Sequence, residues 1–588
     1  MLRLPLLATL VALAATPAWG DPPPAPRPAS ARAYAAYLRG RMAEQQGDWR
    51  AALDAYRAAA EADPLSPALR VALAEARART GWLPVAEAEA RKAIELDPAG
   101  PAAAEAWLIL GKTATLSKQP AEAERAFRSA IEIQSALAAK RPAGQSPIDP
   151  DPWRMLAQLR LDAGDVDGAE AVLEDLARRL PVEGAGSLRD LGNVVAERRD
   201  LDRAVRLYRR AVAIERRDTD AWRRLAELEE SRHRLADARK AWEGLVREDP
   251  DDTEGLVALG RLSLRGGNAD AARAFFDQAI HVSMDGPEAR MQVAFAWLDA
   301  RRPAEAIATV DAGLRTSADG RLLYARGLAL REQRRWEEAA ASFGGVATGN
   351  PDLDVAAVAA RASVLAQSGK AAAGLAVVDA ALARRPGDVR LVTARAYVLQ
   401  RAGRVTEAVN DLRAALRADP RSERLLFALG AAQDRAGDRA GALATMRTIL
   451  DQSPDSAEAL NFVGYSLAEK GERLDEAQSL VTRALAIDPE NGSFLDSLGW
   501  ILFQRGDLPA AVSALERAEA LAGPEPTILE HLGDAYRRSR RDADAARAWR
   551  RALKAFDEGA EPDLPDQRAG IERKLRDLPG GDVRPARR

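Results

Sequence analysis

Three histidines, His233, His281 and His531, are the only side chains of this chain that titrate near neutrality. The last sits in "EHLGDAY", with Glu530 beside it and Asp534 one helical turn on. An i, i+3 His–Asp pair lies on one helix face. With further ligands it could hold a metal or move a proton. No such ligands follow in the sequence. Cysteine is absent, which excludes disulfides, thiolate metal sites, cysteine nucleophiles and lipid attachment through an N-terminal cysteine. No HExxH, GxSxG, GxGxxG or phosphate-binding loop is present. Neighbouring acids such as Glu337 and Glu338 read as a solvated helix face. The expectation is no catalytic residue, no metal and no cofactor, with His531, Asp534 and Glu530 as the one enzymatic alternative.

The totals restrict the partners. Lysine and arginine number 85 against 88 acidic residues, a net charge of -3, so no polyanion bias points to nucleic acid. Hydrophobic residues make up 47% and charged residues 29%, a folded composition. The first twenty residues read as a secretory signal: Arg3, the apolar run "LPLLATLVALAA" and the small residues of "AWG" before residue 21. Residues 21–32 form a proline-rich spacer, with five prolines in "DPPPAPRPAS". No later segment is apolar for long enough to span a bilayer. The expected location is an aqueous compartment outside the cytoplasm, the periplasm in a bacterium of two membranes, with no integral membrane segment after cleavage.

The candidate chemistry must be positioned by something, and the chain repeats every 34 residues or so. Fifteen repeats start at residues 33, 67, 104, 150, 185, 219, 253, 287, 320, 355, 389, 423, 457, 492 and 526. Position 8 is glycine in nine and alanine in six, and position 20 is alanine almost throughout. Two antiparallel helices per repeat approach closely only where both lack bulk, so Gly499 and Ala511 are expected to touch backbone to backbone. Large residues surround that contact: Trp107, Trp153 and Trp222 at position 4, and Tyr56, Phe127, Tyr208 and Trp549 at position 24. Position 15 is glycine in nine repeats, as expected of a left-handed helix cap. In the other six it is Lys118, Arg199, His233, Arg301, Arg334 or Arg540, where a positive charge complements the helix dipole. His233 is structural on this reading.

Leu498, Gly499, Ala511, Ala518 and Pro489 match the signature of the tetratricopeptide repeat (TPR) family, which the chain resembles over about residues 33–559. The resemblance implies an all-α fold, a right-handed superhelix of about 15 helix-turn-helix repeats. The expected layout is an N-terminal block at 33–136, an insertion loop at 137–149, a main array at 150–559, a capping helix at 560–578 and a disordered tail at 579–588. The helix before the insertion is expected to run on to Lys140 or Arg141. In this family positions 2, 5, 9 and 12 of each first helix line the concave face. Those positions give Thr393, Tyr397, Phe427, Asn461, Tyr465, Asp496, Trp500, Phe503 and Arg537 as candidate partner-binding residues. The alternative for Trp500 and Tyr465 is packing between adjacent first helices. The carboxylate clamp of cytosolic chaperone adaptors is matched by Arg189 and Asn193. It fails at Arg224, where an amide is needed, and at Glu254, which has the wrong charge.

Leu460–Ala518 is similar to large envelope-associated TPR proteins of proteobacteria. The reading is a non-catalytic periplasmic scaffold binding proteins or peptide segments, in envelope assembly or export. The alternative is an accessory subunit of an envelope enzyme complex for haem attachment, cell wall or polysaccharide.

Overall fold

Residues 31–140, 148–558 and 566–578 are described by a computed structural model, and among them every regular element is a helix. Fifteen helical hairpins follow one another, from Ala31–Gln45 with Trp49–Ala62 to Pro526–Arg538 with Asp542–Asp557, and a last single helix spans Gln567–Arg576. The chain divides into two compact units, Met1–Ser283 and Met284–Arg588. Repeats 1–7 belong to the first, repeats 8–15 and the last helix to the second. The signal, the spacer up to residue 30, most of the insertion and the tail from 579 lie outside the described residues. The third repeat's second helix, Pro120–Ala139, ends with Lys140 as its cap.

The corner of each hairpin is set by position 15. All fifteen residues there have positive φ, nine glycines such as Gly403 at +75° and six that are not glycine, from His233 and Arg301 near +58° to Arg199 at +67°. The charge of those six is therefore only part of their role; their backbones adopt the same left-handed cap. The next N–H reaches back five residues, as in Asp48 to the Ala43 carbonyl at 2.9 Å and Arg541 to that of Tyr536 at 2.9 Å. This is the Schellman closure, and it needs a left-handed residue between. Position 16 then starts the second helix: the side chains of Asp48, Asp165, Asp200, Asn268, Asp438 and Asp507 each accept an amide N–H three residues on.

The expected glycine–alanine contact is real but is not the tightest one. A Cβ added to Gly499 would lie 3.3 Å from the Ala511 carbonyl oxygen and only 2.5 Å from Leu515 Cγ. Position 24, sixteen residues after the glycine, fills the notch. The rings of Tyr56, Phe127, Tyr208, Phe276, Phe343 and Trp549 press on Gly40, Gly111, Gly192, Gly260, Gly327 and Gly533 in turn. Where position 8 is alanine, position 24 is mostly aliphatic, as in Ala157 with Leu173 and Ala396 with Leu412. Trp242 opposite Ala226 is the exception, its indole N–H held by Glu230 at 2.6 Å. Beneath each ring the position-20 alanines, among them Ala52, Ala204, Ala408 and Ala511, are fully buried.

Successive repeats are tied by apolar contacts and by ion pairs one period apart, such as Arg210 with Glu174 and Arg160 with Glu124, each at 2.8 Å. Exposed pairs of this kind add at most about 1 kcal/mol each. At the C-terminal end Ile571, Leu575 and Leu578 cover Leu529, Trp549 and Phe556. The last helix thus shields an apolar end that a further repeat would otherwise bury.

Two substitutions test this logic. Arg540→Gly should raise the unfolding free energy of the last hairpin by about 1 kcal/mol, and Gly403→Ala should lower its own by a similar amount although nothing crowds it. Amide hydrogen exchange of the flanking helices reads both. Gly327→Ala should cost about 1–3 kcal/mol, because the new methyl would lie 2.6 Å from Phe343. In a Phe343→Leu background the same change should be neutral or stabilising; equal cost in both backgrounds would refute the notch.

Candidate functional site

The structure draws Tyr465, Asp496, Trp500 and Phe503 together, and the residue that gathers them is His531. The first helices of repeats 13, 14 and 15 are Ala457–Glu469, Gly492–Arg505 and Pro526–Arg538. They lie side by side, so positions 5 and 9 of one repeat face position 6 of the next. His531 Nδ1 donates to both Asp496 oxygens, at 2.9 and 3.1 Å. Its ring stacks on Trp500 with centroids 4.2 Å apart, and Trp500 stacks on Phe503 at 4.9 Å. Tyr465 sits 6.3 Å from the imidazole. Both His531 and Asp496 are only 7% exposed. Asp496 is here the counter-ion of a buried imidazole, and Trp500 packs between adjacent first helices. Burial alone would lower the His531 pKa, but the Asp496 carboxylate, with Asp534 and Glu530, outweighs it and holds the pKa above its ordinary value.

Asp534 and Glu530, expected as companions of His531, are held from the last helix instead. Lys574 donates to Asp534 at 2.6 Å and to Glu530 at 2.7 Å. Burial raises the Asp534 pKa, partly offset by that ammonium. Among the described residues no group of three or more His, Cys, Asp or Glu is placed to hold a metal ion.

The remaining candidates stay apart from this cluster. The Thr393 hydroxyl donates to the Arg390 carbonyl at 3.0 Å, and Tyr397 accepts from the Gln367 amide at 2.9 Å. Phe427 is 38% exposed. Arg537 turns to Asp542 at 2.7 Å. Asn461 Oδ1 and Trp500 Nε1 are buried without a hydrogen-bond partner among the described residues, a costly condition for polar atoms.

The same register, carried to the first unit, leads to a feature that the reading of the sequence passed over. Tyr37, Arg41 and Glu44 are positions 5, 9 and 12 of repeat 1; Val71 and Glu75 follow in repeat 2, Leu108 and Lys112 in repeat 3. All line one cavity of about 710 Å³ that also includes Trp49, Glu105 and Asp149. Its volume falls in the range of ligand clefts. One wall is a network: Tyr56 donates to Glu44 at 2.6 Å, and Arg41 pairs with the same carboxylate at 3.0 Å. Burial, then that hydrogen bond, raises the Tyr56 pKa. Applying the position 5, 9 and 12 rule to every repeat would have found this cleft.

Helical hairpins in tandem, each with a glycine or alanine at the close approach of its two helices and a concave row of variable side chains, define an α-solenoid. The tetratricopeptide repeat profile matches eleven overlapping stretches, together covering 37–139, 154–289 and 296–526. The chain belongs to the tetratricopeptide repeat family. A TPR repeat-containing protein of Pseudomonas aeruginosa is 34% identical over 70 residues, which is 12% of this chain and 12% of that relative. Among solved structures, the Cut9–Hcn1 heterotetramer of the APC/C matches 80% of this chain and 90% of its own at 15% identity and a TM-score of 0.35. Yeast Tom70 matches 87% and 96% at 14% identity and a TM-score of 0.35.

The buried imidazole makes the last repeats sensitive to pH. A folded-state pKa raised above the unfolded value gives stability that is complete below about pH 6.5 and is lost as pH rises through the folded pKa. Hydrogen exchange in Pro526–Arg538 should therefore quicken across that window. His531→Gln should be less protected at pH 6 and show no such step; an unchanged step would assign it to another group.

Proposed function

We propose that this chain is a non-catalytic, exported scaffold that holds other proteins through the concave faces of its repeats, with the cleft of repeats 1–4 as its principal binding site. One observation carries this reading: a cleft of about 710 Å³ lies where family register puts partner-facing residues. Its lining mixes rings, aliphatic groups and charges, the composition of a surface that holds peptide side chains. The leader-like residues 1–20 support export, and no described helix is long and apolar enough to cross a membrane. Periplasmic placement and a role in envelope assembly or export belong to the proposal, as does service to an envelope enzyme as an accessory subunit.

The strip of Asn461, Tyr465, Asp496, Trp500 and Phe503 is the second candidate surface. The unpartnered Asn461 and Trp500 atoms favour it. A peptide main chain offers both a donor and an acceptor, and would satisfy the two if the strip opened.

Crosslinking and co-purification of the tagged, exported protein from envelope extract decides between them. Ala68, half-buried on the cleft wall, is replaced by tryptophan to plug the cleft. A Tyr465→Ala/Trp500→Ala variant removes the rings of the second strip. Both are first checked for parental helicity. Ala68→Trp is expected to lose captured proteins that the double variant keeps. The reverse would move the site to repeats 13–15, and retention by both would refute concave binding at either place.

A further inference from the structure

The cleft of repeats 1–4 is acidic beyond what its own cations offset. Seven of its lining side chains are carboxylates and two are cations. Both cations are already engaged, Arg41 by Glu44 at 3.0 Å and Lys112 by Asp151 at 3.3 Å. Glu75 is taken by Arg79, at 2.9 Å. Glu105 and Asp149 make no ion pair among the described residues. Asp149 receives one N–H, from Asp151 at 2.9 Å. The surroundings penalise both carboxylates. Loss of bulk water, then the charge of Asp149, raises the pKa of Glu105 against the pull of Arg41; loss of water and the charge of Asp151 raise that of Asp149 against Lys112 and Arg154. Glu105 keeps access to solvent at the cleft surface, so an incoming group can reach it.

Resting on the concave-binding reading, we propose that this cleft takes a basic, extended segment of a partner protein, with a lysine or arginine side chain seated between Glu105 and Asp149. Charge complementarity selects the cation. The apolar part of the wall selects a polypeptide over a free polyamine. Val71, Leu108 and Ile109, with only their edges exposed, line the same cavity as the carboxylates, together with Trp49 and the exposed Leu65. An extended chain sends alternate side chains to opposite sides, so charged and apolar groups can be met in turn. A polyamine presents only ammonium groups and methylenes. This preference is opposite in sign to the basic clamp whose pattern fails at Arg224 and Glu254.

The test is fluorescence anisotropy with the full mature chain and two fluorescein-labelled nonapeptides, one alternating lysine with alanine, the other glutamate with alanine. At low salt the lysine peptide is expected to bind at least tenfold more tightly, and to weaken as salt rises. Glu105→Gln with Asp149→Asn should reduce its affinity at least fivefold. That variant removes crowded charge, so it should keep full helicity. Glu105→Lys should narrow or invert the preference between peptides. Equal binding of both peptides, or indifference to the double variant, overturns the inference. So does displacement of the lysine peptide by spermidine at equal concentration, which would make the ligand a polyamine. Ala68→Trp separates the two readings. If it abolishes protein capture from extract while no peptide preference is found, the scaffold reading stands and the cationic one falls. If it changes neither capture nor peptide binding, both fall.

Discussion

Most hairpins depend on one contact, a larger side chain at position 24 packed against a glycine or alanine at position 8. The energy is ordinary: a ring buried against backbone contributes a few kcal/mol of apolar transfer and dispersion. Its geometry is exacting. The notch sets the distance and tilt of the two helices, and the fully buried alanine at position 20 keeps the facing surface flat enough for the ring. Where the chain gives up the glycine it mostly gives up the ring as well, as at Ala362 with Val378 and Ala396 with Leu412. That paired change within one chain marks the contact as a shape constraint rather than a matter of helix propensity.

The second constraint lies in the backbone. A helix that must reverse within a few residues needs a left-handed residue, and every repeat supplies one. Six repeats place a long basic residue or histidine there and accept roughly 1–2 kcal/mol of strain each. Such a side chain also faces the negative end of the first helix, which returns part of that cost. The notch and the corner together fix each hairpin from within, and this leaves the concave positions free to vary. Their variety follows: an arginine–glutamate pair, Arg41 with Glu44, at the first repeat, and an aromatic stack around an imidazole in the last three.

The two concave regions differ in what their charges do. Near the C-terminus every titratable group has a partner: His531 has Asp496, and Asp534 and Glu530 have Lys574. Such a cluster holds the final repeats and the closing helix in register, and its charges are satisfied internally. In the cleft of repeats 1–4 several carboxylates, Glu105 and Asp149 among them, make no ion pair among the described residues. Glu105 is exposed and Asp149 half-buried, so an incoming cation can reach both and offset the negative charge they share with their neighbours. That contrast, more than the abundance of aromatic residues, separates a surface built for packing from one prepared for a partner.

The sequence by itself determined the class of fold, the number of repeats, the buried alanines and the corners, because each is local or recurs at a fixed spacing. Position 15 was legible as a cap from its glycines, though the shared backbone of Lys118, Arg199 and His233 was not, since side-chain charge hides the φ angle beneath it. Tertiary structure decided the partners of each titratable group. Asp534 is close to His531 in sequence, but Asp496, 35 residues earlier, holds the imidazole. A stack brings together residues one repeat apart, and the rotamer that buries a ring against the preceding helix selects its neighbour. The same stacking formed the cleft of repeats 1–4 from positions on three successive first helices. Each of those side chains is unremarkable in its own repeat, and only their convergence makes the site.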